Sequence, residues 1–542
     1  MASGTSGTAD WWRGAVIYQI YPRSFQDSNG DGVGDLAGAA RRLGHVADLG
    51  ADAIWLSPFF ASPMKDFGYD VSDYRQVDPM FGSLDDFKHL LGEAHRLGLR
   101  VLIDQVISHS SDQHPWFAES RRDRDNPKAD WYVWADPKPD GTPPNNWLSL
   151  FGGPAWQWDT RRGQYYLHNF LVEQPDLNFH NPEVRAAMLD VLRFWLDLGV
   201  DGFRLDTLNF YFHDAQLRDN PPADPATCEE PPSNPYAYQD HLYDKTQPEN
   251  LDFLSDMGRL LAEYPGATAL GEVVAGPQTH ATIAAYTEPG RVQMCYGFDF
   301  LNGPLSASFF AERIRRFESA VTNGWPCWSF SNHDRTRHVS RWTGDPADRD
   351  AVARLSLALL GSMRGSMCIY QGEELGLPEA ELAFEDLQDP YGITFWPEGK
   401  GRDGCRTPMP WDAGAPNGGF SEAKPWLPVS PAHLLLAVSA QADDATGVMA
   451  FYSNFLAFRR AHPALVRGGI EVLGGENGML ALRRRLEDED LVCVFNLSAR
   501  PAEWAVPDGL SLAPVEGHGL TGTLQDGKVG LGPWQGLIAA AV

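Results

Sequence analysis

Short apolar runs alternate with helix-like stretches up to about residue 370, and several of the apolar runs end in polar residues. In 87–97 and 184–196 the apolar residues follow helical spacing, and a glycine ends each pattern. Eight apolar runs are predicted strands: 16–21, 53–56, 100–106, 202–205, 269–272, 293–298, 326–330 and 367–370. Strands that alternate with helices predict an α/β fold in which parallel strands close into a (β/α)8, or TIM, barrel.

Two parts of the chain depart from this order. Residues 109–179 are rich in Trp, Pro, Asn and Asp and far exceed the about 2–6 residues of an ordinary loop, so we predict a small inserted domain after strand three. Short strand-like runs follow Pro463 and predict an antiparallel β domain. The predicted boundaries are 1–108 and 180–464 for the barrel, 109–179 for the insert and 465–542 for a C-terminal β-sandwich.

Charge and targeting patterns narrow the range of partners. The formal net charge of −28 disfavours nucleic acids and membrane surfaces. Residues 1–12 lack a leader pattern, and no apolar run approaches the about 20 residues of a membrane helix. The six scattered cysteines include no CxxC, so no disulfide framework or zinc site is expected. We therefore expect a cytoplasmic monomer or homodimer.

Polar residues collect where the predicted strands end. Arg204 and Asp206 project to the same face at the end of strand four. A neighbouring guanidinium favours an ionised carboxylate, although an isolated pair of this kind is usually structural. The carboxyl ends of barrel strands meet at one rim. The sequence therefore predicts one site that gathers three acids and two histidines: Asp206, Glu272, Asp334, His109 and His333.

These segments resemble the sequence regions of the α-amylase superfamily, glycoside hydrolase family 13, over nearly the whole chain. The similarity is greatest to the α-glucosidase and oligo-1,6-glucosidase branch. It is carried by 16–25 (VIYQIYPRSF), 68–74 (GYDVSDY), 174–178 (QPDLN) and 406–409 (RTPM).

The resemblance implies a retaining mechanism. Asp206 would be the nucleophile that forms a β-glucosyl-enzyme, and Glu272 would be the general acid and then the base. Asp334 would hold the sugar 2- and 3-hydroxyls. Retention requires the first two carboxyl groups about 5–5.5 Å apart, and burial beside Asp206 should raise the pKa of Glu272.

The resemblance also implies a pocket for one terminal glucose, and hence exo-action on short substrates. For Phe151 and Phe170, the alternative to a place in the pocket wall is a purely structural role in packing. The implied substrate-binding residues are His109 and His333 for hydroxyls, Arg204 for the nucleophile, Asp66 and Arg402 for the 4-hydroxyl, Tyr69 as a platform, and Phe151 and Phe170 as walls.

Substrate preference rests on fewer residues. In this branch the residue after the nucleophile is Val with α-1,6 and Ala or Thr with α-1,4 linkages, so Thr207 predicts cleavage of maltose-like α-1,4 substrates. Asn209-Phe210 replaces the Lys-His of typical α-amylases and disfavours endo-action. The alternatives are an α-1,6-directed enzyme, or a sucrose- or trehalose-directed transglucosylase or isomerase. A sugar or alcohol acceptor would meet the segment 228–250.

The calcium site of many α-amylases is not expected, because Ser108 replaces the Asn that binds calcium there. A different cation site is expected near the N-terminus. Residues 27–35 place oxygen donors at alternating positions, which suits Ca²⁺ or Mg²⁺, and the branch commonly holds a structural cation here. A plain turn is the alternative, and no organic cofactor is expected. The predicted ligands are Asp27, Asn29, Asp31, Asp35 and the carbonyl of Val33.

Overall fold

A closed barrel of eight parallel strands forms the centre of the computed structural model, which describes residues 9–224 and 230–542. Each strand pairs with its neighbours in sequence, and β8 closes onto β1, for example through Val16 and Met367. The predicted barrel is confirmed. Its strands are β1 Val16–Ile20, β2 Ala53–Leu56, β3 Arg100–Gln105, β4 Gly202–Leu205, β5 Thr268–Glu272, β6 Met294–Tyr296, β7 Trp325–Ser329 and β8 Ser366–Tyr370.

The helices surround and extend this barrel. Pro182–Leu198 illustrates why they form where they do: the side chain of Asn181 accepts from the backbone N of Glu183, and Gly199, at φ 101°, ends the helix. The α-helices are Leu36–Leu49, Leu84–Arg96, Pro115–Ser120, Pro182–Leu198, Asn250–Ala262, Thr279–Tyr286, Asp299–Asn302, Ala307–Ala320, His338–Trp342, Arg349–Ser362, Pro390–Phe395, Pro431–Leu434, Val438–Gln441, Val448–Ala461 and Pro463–Arg467.

The long connection after β3 has its own sheet and core. The order of its three antiparallel strands is Trp134–Ala135, Gln164–Leu167, Trp156–Asp159. Trp147 and Trp156 pack with Val133 and Leu167 in a cluster separate from the barrel core. A further pair of strands, Phe60–Ala61 and Asp73–Val77, was not predicted. The boundaries of the insert stay a prediction.

An antiparallel β domain follows the last helix, as predicted. Side chains from its two sheets, among them Val492 and Val529, share one apolar cluster. The five-stranded sheet has the order Gly469–Glu476, Met479–Leu486, Glu489–Asn496, Gly536–Ala541, Leu512–Pro514, and the three-stranded sheet Ala502–Ala505, Lys528–Leu531, Thr523–Gln525.

Several sequence predictions concern thiols and targeting. The five described cysteines are buried and unbridged, whereas Cys228 and residues 1–8 lie outside the described residues. Within 9–224 and 230–542, no helix has both the length and the apolar character needed to cross a bilayer.

Arg484 joins the β domain to the barrel. The side chain lies in the strand Met479–Leu486 and is fully buried. Burying an arginine is costly unless its donors find acceptors. Its three nitrogens donate at 2.8–3.1 Å to the backbone carbonyls of Ser362, Met363, Leu465, Gly468 and Gly469.

We predict that Arg484→Met lowers the free energy of unfolding by about 3 kcal/mol or more, because it leaves buried carbonyls without donors. Urea unfolding followed by tryptophan fluorescence measures the change. Arg485→Met is the matched control: that side chain is 58% exposed and pairs with Asp490, so its loss should cost about 1 kcal/mol or less. Equal destabilisation by the two variants would contradict this role.

Candidate active site

A cavity of about 260 Å³ opens at the carboxyl ends of the barrel strands. This volume lies below the about 300–1,000 Å³ of most ligand pockets, so it suits one sugar ring rather than a long chain. Of the predicted catalytic and substrate-binding residues, Arg204 and His333 do not line it and are fully buried. The predicted residues that line it are Asp66, Tyr69, His109, Phe151, Phe170, Asp206, Thr207, Glu272, Asp334 and Arg402.

Arg204 lies beneath this cavity and binds the acids around it. Its Nη1 donates to Asp206 Oδ1 at 2.6 Å and to Asp104 Oδ1 at 2.9 Å. Its Nη2 lies 2.6 Å from Glu272 Oε1 and donates to the Tyr296 hydroxyl at 2.7 Å. Because β4 and β5 are adjacent, one guanidinium holds the carboxylates of Asp206 and Glu272 side by side.

The buried acids resist ionisation. Burial raises the pKa of both Asp206 and Glu272 to about 7, against the opposing charge of Arg204. Asp206 and Glu272 lie close enough that the charge of one disfavours ionisation of the other. Burial likewise raises the pKa of Asp104 to about 6. Near neutral pH the Asp206–Glu272 pair therefore holds one proton, an arrangement suited to combined acid and nucleophile chemistry.

Asp334 is in a different electrostatic environment. Burial alone would raise its pKa, yet the carboxyl is held well below its ordinary pKa by the groups around it. Burial keeps His333 neutral by lowering its pKa, so the opposing charge comes from Arg406, Arg402 and Arg204, of which the first two bind the carboxylate directly. Arg406 Nη2 donates to Asp334 Oδ1 at 2.9 Å and Arg402 Nη1 at 3.4 Å. Asp334 is therefore a permanent carboxylate.

Arg402 fixes the far end of the cavity. Its Nη2 donates to Asp66 Oδ1 at 2.7 Å and to Asp389 Oδ1 at 2.8 Å. Gln174 Nε2 donates to the other oxygen of Asp66 at 3.1 Å. The guanidinium also lies over the ring of Phe151, 5.3 Å from its centroid. These contacts close that end with charged groups in fixed positions.

Aromatic rings form the wall between the cavity and the barrel interior. The ring of Tyr69 stacks on His333, with centroids 5.4 Å apart and planes at 7°, and its hydroxyl hydrogen-bonds His333 Nε2. Gln19 Nε2 lies 2.7 Å from the other ring nitrogen. His333 thus supports Tyr69 from behind, while His109 lines the cavity beside Phe170 at 5.0 Å.

Thr207 has an unusual backbone. Its φ of 43° and ψ of 48° are left-handed, a conformation that costs a β-branched residue free energy and persists only when the surroundings enforce it. Its backbone N donates to Glu272 Oε2 at 3.2 Å, and its hydroxyl donates to Asp206 Oδ2 at 3.3 Å. Ser108 holds the same hydroxyl at 2.9 Å. Thr207 is thereby locked against both carboxyl groups.

Comparison with known proteins identifies the family. A protein-family model described as "Alpha amylase, catalytic domain" matches residues 19–468. The chain belongs to the alpha-amylase family.

Two curated relatives are similar over almost their full lengths. The chain is 58% identical over 535 residues to a probable alpha-glucosidase of Rhizobium meliloti (strain 1021), covering 98% of this chain and 97% of the relative. It is 36% identical to an oligo-1,6-glucosidase of Heyndrickxia coagulans, with 92% and 94% covered. The predicted assignment to the glycosidases of this family is confirmed.

Similar solved structures agree with this assignment. The alpha-glucosyl transfer enzyme XgtA is 57% identical with a TM-score of 0.96, and the match covers 98% of this chain and 99% of that one. The trehalulose synthase MutB from Pseudomonas mesoacidophila MX-45 is 33% identical with a TM-score of 0.89, covering 99% and 100%. Enzymes named for glucosyl transfer and for trehalulose synthesis thus share this fold.

Other residues of the cavity were not singled out from the sequence. Glu230, in the described part of the segment 228–250, accepts from Arg335 Nη2 at 2.9 Å and from the Tyr391 hydroxyl at 2.7 Å. All three line the cavity, and Phe151 packs on Tyr391 with ring centroids 6.1 Å apart. The length of that connection after β4 was the available signal; residues 228 and 229 lie outside the described part.

The predicted cation loop forms a compact turn. Asp27 accepts from the backbone N of Asn29, Gly30 and Gly32 at 2.7–2.9 Å, while Asp35 caps the helix Leu36–Leu49. The candidate metal ligands of the loop are all oxygen atoms, which a hard cation such as Ca²⁺ or Mg²⁺ prefers. In the described ranges, however, no three His, Cys, Asp or Glu side chains converge as a metal site. The cation stays a prediction.

The shared proton predicts a bell-shaped pH profile. Because the charge of one carboxyl disfavours ionisation of the other, the pair loses its first proton below about pH 7 and its second above it, so kcat/KM should fall toward both acid and alkaline pH. Hydrolysis rates measured across pH on a chromogenic α-glucoside give the profile.

Tyr296→Phe is a second test of this profile, because it removes the hydroxyl that donates to Glu272 Oε1 at 2.9 Å. Loss of a donor to the ionised form raises the pKa of Glu272, so the alkaline limb should move to higher pH. A flat profile from about pH 5 to 9 would contradict the shared proton.

Proposed function

We propose that the protein is an exo-acting retaining α-glucosidase that also transfers glucose. The observation that carries this proposal is the bridge from Arg204 to Asp206 and Glu272 beneath a one-sugar cavity. Two carboxyl groups held side by side by one guanidinium, with one proton between them, can serve as the nucleophile and the general acid of a retaining glycosidase.

In the first step the Asp206 carboxylate attacks the anomeric carbon while Glu272 gives its proton to the glycosidic oxygen. The bond to the aglycone breaks, and a β-glucosyl-enzyme forms. In the second step Glu272 takes a proton from water or from an acceptor hydroxyl, whose oxygen attacks the anomeric carbon and releases Asp206. Two inversions give a product of retained α configuration.

The ionised Asp334 supports these steps. A fixed carboxylate at the cavity wall accepts hydrogen bonds from sugar hydroxyls, and these bonds hold the ring for attack. Its permanent charge, maintained by Arg406 and Arg402, also favours the protonated form of Glu272.

The pair of Asp66 and Arg402 supports exo-action. Their ion pair at 2.7 Å stands at the closed end of the cavity with further bonds to Gln174 and Asp389. Converging donors and acceptors of this kind recognise the 4-hydroxyl of a terminal glucose, and a longer chain would have no room beyond them. Substrates would therefore be short oligosaccharides bound by their non-reducing end.

Thr207 supports a preference for α-1,4 linkages such as that of maltose. Its hydroxyl is anchored to Asp206 and Ser108, so its methyl group and backbone position are fixed beside the scissile bond. Transfer to a sugar or alcohol acceptor is supported by the name of XgtA, an alpha-glucosyl transfer enzyme 57% identical to this chain.

The remaining features of the proposal concern the environment. We propose a cytoplasmic protein, supported by the five described cysteines, which are buried and unbridged, and acting as a monomer or homodimer. A Ca²⁺ or Mg²⁺ ion in the loop 27–35 is proposed on its oxygen donors alone.

The test of function is a comparison of maltose, isomaltose, sucrose and trehalose, with products followed by NMR. We expect the highest kcat/KM with maltose, and α-glucose as the first anomer released. An added alcohol acceptor should give an α-glucoside. Initial β-glucose would refute the retaining mechanism, and a higher kcat/KM with isomaltose would refute the linkage preference.

Asp206→Asn tests the role of the nucleophile. It should lower kcat by at least about 10³-fold while leaving the thermal midpoint of unfolding within a few degrees.

Thr207→Val tests the linkage preference, because it keeps the shape of the side chain but removes the hydroxyl that binds Asp206 and Ser108. It should lower the maltose-to-isomaltose ratio of kcat/KM without abolishing turnover.

The cation proposal has a separate test. Calcium added to chelator-treated protein should raise its stability by about 2.7 kcal/mol at 100 times the dissociation constant, measured by calorimetry. Asp31→Ala should abolish the gain, whereas the exposed Asp140→Ala should retain it. An equal gain in both variants would show that the loop is not the site.

A further inference from the structure

A second cavity lies at the opposite end of the barrel. Its volume is about 570 Å³, and its walls include the first residues of β1 and β3, Val16 and Arg100. The helices Val448–Ala461 and Pro463–Arg467 cover its outer side through Arg459, Arg460 and Arg467. This amino-terminal face is remote from the carboxyl ends of the strands and takes no part in the proposed chemistry.

The cavity concentrates positive charge in a chain whose net charge is −28. Five arginines line it: Arg13, Arg100, Arg459, Arg460 and Arg467. The one acidic residue in its wall is Asp52 among the described residues. Ion pairs bring two more carboxylates to its edge, Asp10 for Arg13 and Arg467, and Asp201 for Arg100. Five guanidinium groups thus meet three carboxylates.

Arg459 carries its charge into the protein without a bonded carboxylate. It is 3% exposed, and its three nitrogens donate at 2.7–3.3 Å to the carbonyls of Gly14, Gly361 and Gly365. Carbonyls satisfy its donors but supply no formal negative charge. An anion in the cavity would supply it.

Arg13 presents a guanidinium with unused donor capacity. Among the described residues its side chain makes no hydrogen bond, and its nearest carboxylate, on Asp10, is 4.0 Å away. The ring of Trp12 holds it by a cation–π contact at 4.5 Å. Burial and the charges of Arg467 and Arg364 lower its pKa.

Apart from His95, which is bonded to Asp201, the side chains of the remaining wall are apolar. Trp11, Leu99, Leu456 and Val466 line the same space, and the indole of Trp11 is fixed by a bond of 2.7 Å to the carbonyl of Gly266. A concave site with several guanidinium groups and apolar walls suits a small molecule with an oxyanion and an organic body, rather than a flat membrane or a nucleic acid duplex.

We propose that this cavity binds a small organic phosphate, whose phosphate takes the place of the partly exposed Asp10 carboxylate between Arg13 and Arg467 and whose organic body lies against the apolar wall. Planar guanidinium groups bind phosphate oxygens in pairs, which gives both affinity and orientation. The net acidic chain gives no general attraction for anions, so binding would depend on this cavity.

Isothermal titration calorimetry with inorganic phosphate and with glucose 6-phosphate, at constant ionic strength and in saturating maltose, tests the proposal. The protein for this titration carries Asp206→Asn, so that the active-site cavity is filled without turnover. We expect one site for each probe, with glucose 6-phosphate the tighter. Equal affinity for the two would overturn the role of the organic body, and no binding of either would overturn the site.

Variants locate the binding. Arg13→Gln and Arg467→Gln should each weaken glucose 6-phosphate binding at least tenfold, because each removes a guanidinium from the phosphate. Arg41→Gln, on the exposed face of the helix Leu36–Leu49, is the matched control and should bind as the parent does. Unchanged binding in the first two variants, or equal weakening in the third, would overturn the assignment. In the otherwise unaltered chain, maltose hydrolysis by Arg13→Gln should be unchanged, which also verifies the fold.

Discussion

The buried guanidinium of Arg204 is the interaction on which the catalytic end of the barrel depends. Asp104, Asp206 and Glu272 all approach it at the buried floor of the cavity. Without a central cation, three carboxyl groups so close together would take up protons or move apart. With it, the two acids at the ends of β4 and β5 are held side by side and share a proton. The ring of Trp55, 4.8 Å from the guanidinium carbon, closes the site from below.

The rest of the site follows from that cluster. Thr207 adopts a strained left-handed backbone because its N–H and hydroxyl are both bound to the paired acids. Asp334 remains ionised because two other arginines hold it, and its charge in turn disfavours ionisation of Glu272. Asp334 therefore differs in protonation from the Asp206–Glu272 pair although all three are buried carboxyls. Burial favours the protonated form of each, and the arginines beside Asp334 reverse that preference there.

Much of the fold was predictable, since a parallel barrel repeats one pattern. The strand predicted at 269–272 is Thr268–Glu272, and the helix predicted at 184–196 extends to Pro182–Leu198 because Asn181 and Gly199 cap it outside the apolar pattern. The strands Phe60–Ala61 and Asp73–Val77 were missed because short hairpins within loops lack a hydrophobic period. Glu230 was missed as a cavity residue because nothing in its neighbours marks it as facing Arg335 and Tyr391.

The sequence by itself determined the barrel, the β domain and which acids gather at one rim, because strand order and strand ends are local properties of the chain. Only the tertiary structure decided how those acids differ in protonation and that His333 stands behind Tyr69 rather than in the cavity. It also brought Arg13 and Arg467 to one cavity from opposite ends of the chain. Burial and the distance between charges set these properties, and both depend on contacts between residues hundreds of positions apart.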